Sequence, residues 1–398
     1  MLSRILDFTI GLSIIFIISL LISKNPKKIR IRFIIQMLII EILLGYLILQ
    51  SEIGFQFIQK LCHIFNILLL CASEGTNFVF GDTYAKQEIS IFFLNVLCPI
   101  IFVSSLIGVL LYSRILIFFI KIISNILSKI SGMGKLESFN VISSLVLGQT
   151  ENFIIYKNII QHISETRIYT MAVTAMSTVS LSMIGVYMTI LTPKYVIAAL
   201  ILNIFSTFII MSLLNPYIIP PEQDLHISNF FIQNYNNFFA IIGEYILIGF
   251  KIATTVAAML IGFIALIAAF NIFFKALFGI SFQETFAYIL APLAWIIRIP
   301  SYEILQVSNI MATKLISNEF IAMINFQKIS HTLSPQTIGI LSVFLVSFSN
   351  FASIGIIIGT IKELNKNQGN IIAHYGLKLI YSSTLINMLS ALITGLVM

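Results

Sequence analysis

Long apolar runs separated by short charged loops recur along this chain of 398 residues. The runs are continuously apolar, whereas a membrane β-strand alternates apolar and polar side chains. A helix needs ~20 apolar residues to cross the ~30 Å of bilayer hydrocarbon. Only 10% of the residues are charged and 58% are hydrophobic, whereas roughly a quarter are charged in soluble proteins. The sequence therefore predicts an all-α integral membrane protein with a multi-span helical bundle.

The predicted spans cover residues 8–22, 33–49, 91–111, 169–191, 195–214, 252–270, 343–358 and 377–398. Five cations follow the first span within nine positions: Lys24, Lys27, Lys28, Arg30 and Arg32. Because cytoplasmic loops carry the excess of Lys and Arg, this loop is predicted to be cytoplasmic and the N-terminus to lie outside. Counting spans also places the loop 216–237 in the cytoplasm, although it contains no Lys or Arg.

Two segments are predicted to lie along the membrane surface. In residues 52–70, polar side chains recur at helical spacing opposite apolar ones, which is typical of an amphipathic interfacial helix. A polar loop at 73–87 is predicted to follow it. The second segment is a cationic helix, predicted on the cytoplasmic surface, with one face formed by Arg114, Lys121, Asn125 and Lys129.

Two polar islands interrupt the apolar pattern where membrane depth is expected. They are Gly148-Gln149-Thr150-Glu151-Asn152 and Ser317-Asn318-Glu319-Phe320. An ionisable group at that depth costs several kcal/mol unless it is paired or faces a water-filled cavity, so each island is a candidate site. For the same reason Glu41, in the second span, is expected to face protein.

Each island lies between apolar pieces too short to span, which is typical of a re-entrant hairpin. Hairpin 1 is predicted at about residues 136–163 and hairpin 2 at about 299–325. A span interrupted by hydroxyls and amides follows each hairpin, and such paired interruptions predict an internal inverted repeat with two broken helices, as in transporters. The chain is accordingly divided into N-terminal spans with the interfacial helix, residues 1–90, and a scaffold and transport core, residues 91–398.

The side chains of the islands suit a neutral ligand. A carboxylate, an amide and a hydroxyl within one turn can bind a polyhydroxylated or heterocyclic molecule, although the same set could simply lock a hairpin tip. Glu319 could instead form a structural ion pair with Lys314, five positions earlier. Asn350 and Ser353 share a helix face near Phe348, and an aromatic ring beside amides is one way to hold bases and sugars.

Other function classes lack support in the sequence. The net charge is +7, and the Lys and Arg residues that give it lie in short loops, where the positive-inside rule explains them. Nucleic acid is therefore not expected as a partner. The five His and three Cys residues have no metal-ligand or disulfide spacing. Neither a P-loop nor a Gly-x-Ser-x-Gly elbow occurs. The sequence therefore predicts no metal, no cofactor and no enzymatic activity.

Four segments resemble the signatures of the concentrative nucleoside transporter family. They are Gly148-Gln149-Thr150-Glu151, Met176-Ser177-Thr178-Val179, the run from Ala312 to Met323, and the run from Phe348 to Gly355. The resemblance extends from about residue 90 to the C-terminus, and the sequence is similar to bacterial nucleoside permeases of the proton-coupled branch. It implies a homotrimer in which a transport domain moves against a scaffold in an elevator-like cycle.

Position by position, the resemblance implies roles for the side chains of both hairpins. Gln149, Thr150 and Glu151 are implied to face the nucleobase. Glu319, Asn350 and Ser353 are implied to hold the ribose hydroxyls, and Phe348 to pack beside the nucleoside. Asn318, next to Glu319 in the second island, is a further substrate-binding candidate from its side chain.

The resemblance also bears on the coupling ion. Sodium-coupled members are similar to one another in having an Asn near the first hairpin tip, where this chain has Ser144. Protons are therefore the expected ion, and a glutamate shielded from water is the candidate carrier because burial disfavours its charged form. The candidate coupling residues are Glu319, Glu151, Ser144 and Thr178.

These observations together predict a secondary active symporter in a bacterial inner membrane. Its expected substrates are nucleosides of the uridine, cytidine, thymidine and adenosine class, and its expected partners are protons and membrane lipid. A sodium-coupled symporter and an uncoupled nucleoside channel or facilitator remain alternatives. The sequence does not decide between purines and pyrimidines.

Overall fold

The computed structural model describes residues 2–81, 91–157, 159–219 and 237–398, and these ranges contain helices and connecting turns but no strand. Eight helical segments are long and apolar enough to cross a membrane. The prediction of an all-α multi-span protein is confirmed.

The first three helices form the N-terminal part of the chain. They are α1 (Leu2–Leu21), α2 (Ile31–Gln50) and α3 (Glu52–Phe80). The predicted end of the third helix at residue 70 is wrong, because α3 continues through the first residues of the expected polar loop. Residues 82–87 of that loop lie outside the described residues. Since α3 is itself long and apolar enough to span, its interfacial placement stays a prediction.

A π-helical turn and two helices lead into the core. The turn, Phe93–Leu97, precedes α4 (Pro99–Tyr112), so Pro99 occupies the start of a helix, where its missing N–H costs nothing. The predicted cationic helix is α5 (Ile115–Ser131), which ends at Gly132 with a φ of 65°. A side chain at Gly132 would overlap the ring of Phe33, so this turn packs directly on α2.

Hairpin 1 and the first broken helix follow. The hairpin comprises α6 (Lys135–Leu147) and the single-turn α7 (Glu151–Ile154), and its return arm then continues as turns to the 3-10 helix Ile160–His162. The broken helix consists of α8 (Glu165–Ser177) and α9 (Leu181–Ile190), separated by three residues. The buried helix α10 (Pro193–Leu214) completes the first half.

A helix of 41 residues, α11 (Phe238–Phe278), connects the two halves. At 1.5 Å per residue it is about 60 Å long, so the predicted span 252–270 was too short. Most of its surface is exposed, and its closest neighbour is α4. Residues 220–236 of the loop 216–237, whose sidedness was predicted above, lie outside the described residues.

The second half repeats the first about 170 residues later. After α12 (Phe282–Ile296), hairpin 2 comprises α13 (Ile304–Ile316) and α14 (Glu319–Ile329). The second broken helix comprises α15 (Pro335–Leu345) and α16 (Phe351–Leu364), so the break is confirmed but the predicted bounds 343–358 were too narrow. The chain ends with α17 (Lys366–His374) and α18 (Gly376–Val397).

The core lies around α10 and α18, which are the most buried long helices. They pack against each other, and the broken helices α8/α9 and α15/α16 pack around them. This arrangement holds both broken helices and both hairpin tips in the protein interior.

Candidate functional site

The tip of hairpin 1 is a tight turn at Gly148. Its φ of 107° favours glycine, and a Cβ there would lie 3.0 Å from Glu151 Oε2 and 3.2 Å from Ser180 Cβ. The carboxylate of Glu151 and the start of α9 therefore lie on either side of Gly148. Gln149 and Thr150 form the turn and are half-buried. Gln149 Oε1 is buried and accepts no hydrogen bond from the described residues, so it is an open acceptor beside Glu151.

A buried amide network supports this tip. Asn152 Nδ2 donates to Asn140 Oδ1 and to Ser144 Oγ, both at 2.7 Å. Ser143 Oγ donates to Asn152 Oδ1 at 2.5 Å. The predicted coupling residue Ser144 is thus part of the network that joins the two arms of the hairpin. Asn140 and Ser143 were missed by the sequence analysis, although they share one face of α6 with Ser144.

At the tip of hairpin 2, both carboxylate oxygens of Glu319 accept hydrogen bonds. Tyr187 Oη donates to Glu319 Oε1 and Asn350 Nδ2 donates to Glu319 Oε2, each at 2.8 Å. Glu319 is buried, with 4% of its surface exposed. Hydrogen bonds donated to both oxygens stabilise the charged form of a carboxylate. The structure therefore brings Glu319 and Asn350 together as expected, and it adds Tyr187, which the sequence analysis did not identify.

Two asparagines begin the half-helices at this site. Asn318 Oδ1 accepts the N–H of Ile321 at 3.0 Å, and Asn350 Oδ1 accepts the N–H of Ser353 at 2.8 Å. These are N-caps of α14 and α16. The positive ends of two helix dipoles thus point toward the Glu319 carboxylate. Asn318 itself caps a helix, and its side chain is bonded to the backbone.

Phe348 and Ser353 border the unwound segment of the second broken helix. Phe348 lies within the non-helical residues 346–350 and is 9% exposed, while Ser353, in the first turn of α16, is 2% exposed. Both residues are therefore buried close to Asn350. The first broken helix places Thr178 at its break, where Thr178 Oγ1 donates to Thr174 O at 3.1 Å.

The ion pair between Lys314 and Glu319, which the sequence left open as an alternative, does not occur among the described residues. In the described part of the chain, Lys314 Nζ donates to the Phe344 carbonyl at 2.5 Å and to Ser347 Oγ at 2.7 Å. Its ammonium group also lies 4.5 Å from the centre of the Phe344 ring. These acceptors are available because α15 ends at Leu345, which leaves the carbonyl of Phe344 without a helical partner. Lys314 consequently binds the end of a half-helix rather than the Glu319 carboxylate.

The two tips meet along α9. Ser180, which begins α9, contacts Gly148 beside Glu151, and Tyr187 of α9 bonds to Glu319. Ser180 is the residue just before α9, and Tyr187 lies within α9, so the two hairpin tips contact successive parts of the first broken helix. In addition, α7 packs against α16, which begins at Asn350. Both hairpin tips therefore lie against the first broken helix.

This region combines carboxylates, amides, hydroxyls and one phenyl ring. It can accept several hydrogen bonds from a hydroxylated ligand and also offers an apolar surface for a flat ring. The described residues provide no Cys, His, Asp or Glu cluster that could hold a metal ion. The groups of this region are of the kinds that bind small neutral polar molecules.

Three family models match consecutive parts of the chain. Residues 10–83 match the Na+ dependent nucleoside transporter N-terminus, residues 93–194 match a nucleoside recognition ("Gate") model, and residues 195–395 match the Na+ dependent nucleoside transporter C-terminus. Together they cover most of the sequence.

Bacterial relatives match over nearly their full length. The chain is 34% identical to the purine nucleoside transport protein NupG of Bacillus subtilis (strain 168), over 97% of this chain and 98% of that protein. It is 26% identical to the nucleoside permease NupC of Helicobacter pylori, over 97% and 96%.

Solved structures of the transporter CNTnw show the same fold. CNTnw in an inward-facing substrate-bound state matches with a TM-score of 0.91 and 26% identity, covering 99% of each chain. A doubly substituted CNTnw in an outward-facing state matches with a TM-score of 0.92, covering 100% of this chain and 98% of that chain. Since the matching models and relatives are transporters, the protein is a transporter rather than an enzyme. The chain belongs to the concentrative nucleoside transporter family.

Proposed function

We propose that this protein is a secondary active symporter that imports nucleosides across a bacterial inner membrane, driven by the proton gradient. The observation that carries the proposal is that the tips of both hairpins lie against the first broken helix: Gly148, beside Glu151, lies close to Ser180, and Glu319 accepts a hydrogen bond from Tyr187. The names of the relatives support nucleosides as the substrate class. Inward-facing and outward-facing states of CNTnw support an alternating-access cycle.

In the proposed pocket, Gln149, Thr150 and Glu151 bind the nucleobase. The unpartnered oxygen of Gln149 is suited to accept a base N–H. The ribose hydroxyls donate to Glu319, in competition with the Tyr187 and Asn350 groups that occupy its oxygens without substrate.

The remaining polar side chains of this pocket hold the ribose end in position. Asn350 and Ser353 lie beside the hydroxyls, Asn318 fixes the start of α14, and Phe348 packs against the nucleoside. Because Asn318 and Asn350 each cap a half-helix, the pocket walls are set before the substrate enters.

The coupling ion is proposed to be a proton. Ser144 offers one hydroxyl, which already accepts a hydrogen bond from Asn152, and the Thr178 hydroxyl donates to a backbone carbonyl. A sodium site requires several oxygen ligands, and the hydroxyls of Ser144 and Thr178 alone do not supply them. Glu319 and Glu151 are the candidate proton carriers within the pocket. The two transporter family models are named for sodium, so sodium coupling is retained as the alternative that the experiment below tests.

The charge of the two carboxylates explains why the mobile part of the protein is expected to cross only with substrate bound. A carboxylate at membrane depth opposes movement unless its charge is neutralised or hydrogen-bonded. In the proposed elevator-like cycle, the two hairpins and two broken helices move together against a scaffold, within a homotrimer. Nucleoside hydroxyls and a proton satisfy the carboxylates before the crossing, and empty crossing with exposed charge is suppressed. The N-terminus is proposed to lie outside.

Uptake into proteoliposomes, with sodium and pH varied independently, tests this function. Uridine and adenosine serve as a pyrimidine and a purine probe. An inwardly directed proton gradient is expected to drive accumulation above equilibrium without sodium. Accumulation that requires sodium would establish the sodium-coupled alternative. Uptake that stops at equilibrium under every gradient would establish a channel or facilitator.

A further inference from the structure

A glutamate lies in the middle of the buried face of α2. The buried residues of this helix are Ile34, Met37, Glu41, Gly45 and Ile48, which recur at helical spacing along one face. Four of them are apolar or glycine, and Glu41 itself is 0% exposed. A Cβ at Gly45 would touch Leu202 of α10 and Ile393 of α18, so α2 packs closely against both helices. Glu41 is therefore enclosed in the protein interior, outside the nucleoside pocket.

Glu41 accepts fewer hydrogen bonds than Glu137, Glu303 and Glu319, three other buried glutamates of the described chain. Ser206 Oγ donates to Glu41 Oε1 at 2.5 Å, and Glu41 Oε2 has no hydrogen-bond partner among the described residues. In contrast, both oxygens of three other glutamates accept hydrogen bonds: Glu137 from Arg167 and Tyr217, Glu303 from Ser334 and Thr337, and Glu319 from Tyr187 and Asn350.

No positive charge compensates Glu41. It has no ion pair within the described ranges of the chain. The titratable side chains of α10 and α18 lie near the N-terminal ends of these helices, about 14 Å or more along the axis from Ser206 and Ser390. They are Lys194, Tyr195, Lys378 and Tyr381.

The other helices packed against α2 do not place a charge on Glu41 either. The charged and histidine side chains of α3 are exposed, and they are Glu52, Lys60, His63 and Glu74. Of its titratable thiols, Cys62 is half-buried and Cys71 is exposed. On α5, Lys121 is half-buried and Lys129 is exposed, and Arg32 and Tyr46 of α2 itself are exposed.

Buried amide oxygens without a donor lie one helical turn along α10 and α18 from Ser206 and Ser390. Ser390 Oγ of α18 donates to Ser206 Oγ of α10 at 2.9 Å, which joins the two helices next to Glu41. Asn203 lies one turn before Ser206, and Asn387 lies one turn before Ser390. The Oδ1 atoms of both amides are buried and accept no hydrogen bond within the described residues. This neighbourhood therefore has surplus acceptors and lacks donors.

The same two amides bind the unwound segment of the second broken helix. Asn203 Nδ2 donates to Val346 O at 2.8 Å, and Asn387 Nδ2 donates to Ser347 Oγ at 2.7 Å. Residues 346–350 include Phe348 and Asn350, which border the proposed nucleoside pocket. Buried polar groups thus lead from Glu41 toward that pocket.

We propose that Glu41 is a proton-binding site outside the nucleoside pocket, and that α10 and α18 transmit its protonation to the unwound segment 346–350. Burying a charged carboxylate that accepts one hydrogen bond and has no cation beside it costs free energy in an apolar interior. The protonated acid carries no charge, and its O–H supplies a hydrogen-bond donor to a region whose acceptors lack donors. Binding is the simple equilibrium in which one carboxylate oxygen gains a proton and the group loses its charge. The proposal rests on the proposed proton symport, and it adds Glu41 as a proton-binding residue that does not contact the substrate.

Glu41→Gln tests the proposal because it keeps the shape and fixes the group as neutral. Proteoliposomes are loaded with uridine and assayed for equilibrium exchange without a gradient, and empty ones are assayed for accumulation under a proton gradient. The variant is expected to keep exchange within about twofold of wild type and to lose proton-driven accumulation. Glu244→Gln, at an exposed position of α11, is the matched control and is expected to behave as wild type.

Two further measurements apply if Glu41→Gln does not fold. Infrared spectra are expected to contain a carboxylic acid C=O band that disappears as the pH rises, and at a higher pH in Ser206→Ala than in the wild type, which assigns the band to Glu41. Ser206→Ala removes the one donor to Glu41, which favours the neutral form, so the pH at which uptake falls to half is expected to move upward by about one unit.

The outcomes separate this proposal from the symport itself. Wild-type accumulation in Glu41→Gln, or an unchanged pH profile in Ser206→Ala, overturns the role of Glu41 while leaving proton symport intact. Absence of proton-driven accumulation in the wild-type protein overturns the symport proposal and the coupling role of Glu41 together.

Discussion

Replacing Glu319 by Gln tests the site at its most connected residue. The substitution keeps the side-chain shape but puts an NH2 group where Tyr187 or Asn350 now donates at 2.8 Å. A hydrogen bond to a charged group contributes about 1.5–3 kcal/mol, and each 1.4 kcal/mol changes a binding constant about tenfold. Loss of one such bond between ribose and carboxylate is expected to weaken nucleoside binding by about 10- to 100-fold.

The assay for Glu319→Gln is calorimetric titration of purified protein with uridine and adenosine, beside proton-driven uptake in proteoliposomes. Gel filtration and thermal unfolding establish that the variant remains folded. Glu363→Gln is the matched control, because this glutamate lies on α16 at an exposed position away from the pocket. Wild-type affinity together with wild-type accumulation in Glu319→Gln would refute the assignment of the ribose site.

Three further substitutions probe the supports of the site. Gly148→Ala adds a Cβ 3.0 Å from Glu151 Oε2 at a φ of 107°, so uptake is expected to fall at least tenfold; wild-type uptake would contradict the geometry of this tip. Asn152→Ala leaves the buried Asn140 Oδ1 without its donor, which is expected to cost about 1–3 kcal/mol and to lower the melting temperature, whereas an unchanged melting temperature would argue against the network. Arg167→Met leaves Glu137 without its bidentate partner, an expected loss of about 3–5 kcal/mol, and adding Glu137→Gln is expected to restore much of it; equal unfolding temperatures in the single and double variants would contradict a buried ion pair.

The architecture was largely predictable because membrane depth penalises polar groups. The islands at 148–152 and 317–320, and the hydroxyl-rich breaks at 178–180 and 346–350, are conspicuous in an apolar sequence, and each coincides with an interruption of helix in the structure. Their repetition about 170 residues apart indicated two related halves. Family resemblance then pointed to residues within the islands.

Partners distant in sequence were not predictable in the same way. Tyr187 is one of 14 tyrosines, and nothing local distinguishes it from the others. Lys314 is five residues from Glu319, yet the Phe344 carbonyl exposed by the end of α15 binds it instead. Such choices depend on how helices pack, which periodicity does not encode.

Helix lengths were underestimated for a different reason. The predicted spans were limited to the apolar thickness of a bilayer, but α3 and α11 continue through polar residues such as Ser73 and Lys275. Hydropathy marks the segment that can lie in lipid, whereas hydrogen bonding and caps such as Gly279 decide where a helix ends.

The most direct test of the central claim is an experimental structure of the protein with a bound nucleoside. The account predicts the base within hydrogen-bond distance of the Gln149-Thr150-Glu151 turn, and a ribose hydroxyl about 2.5–3.0 Å from a carboxylate oxygen of Glu319. A nucleoside bound elsewhere, or one that contacts only one of the two hairpin tips, would contradict it.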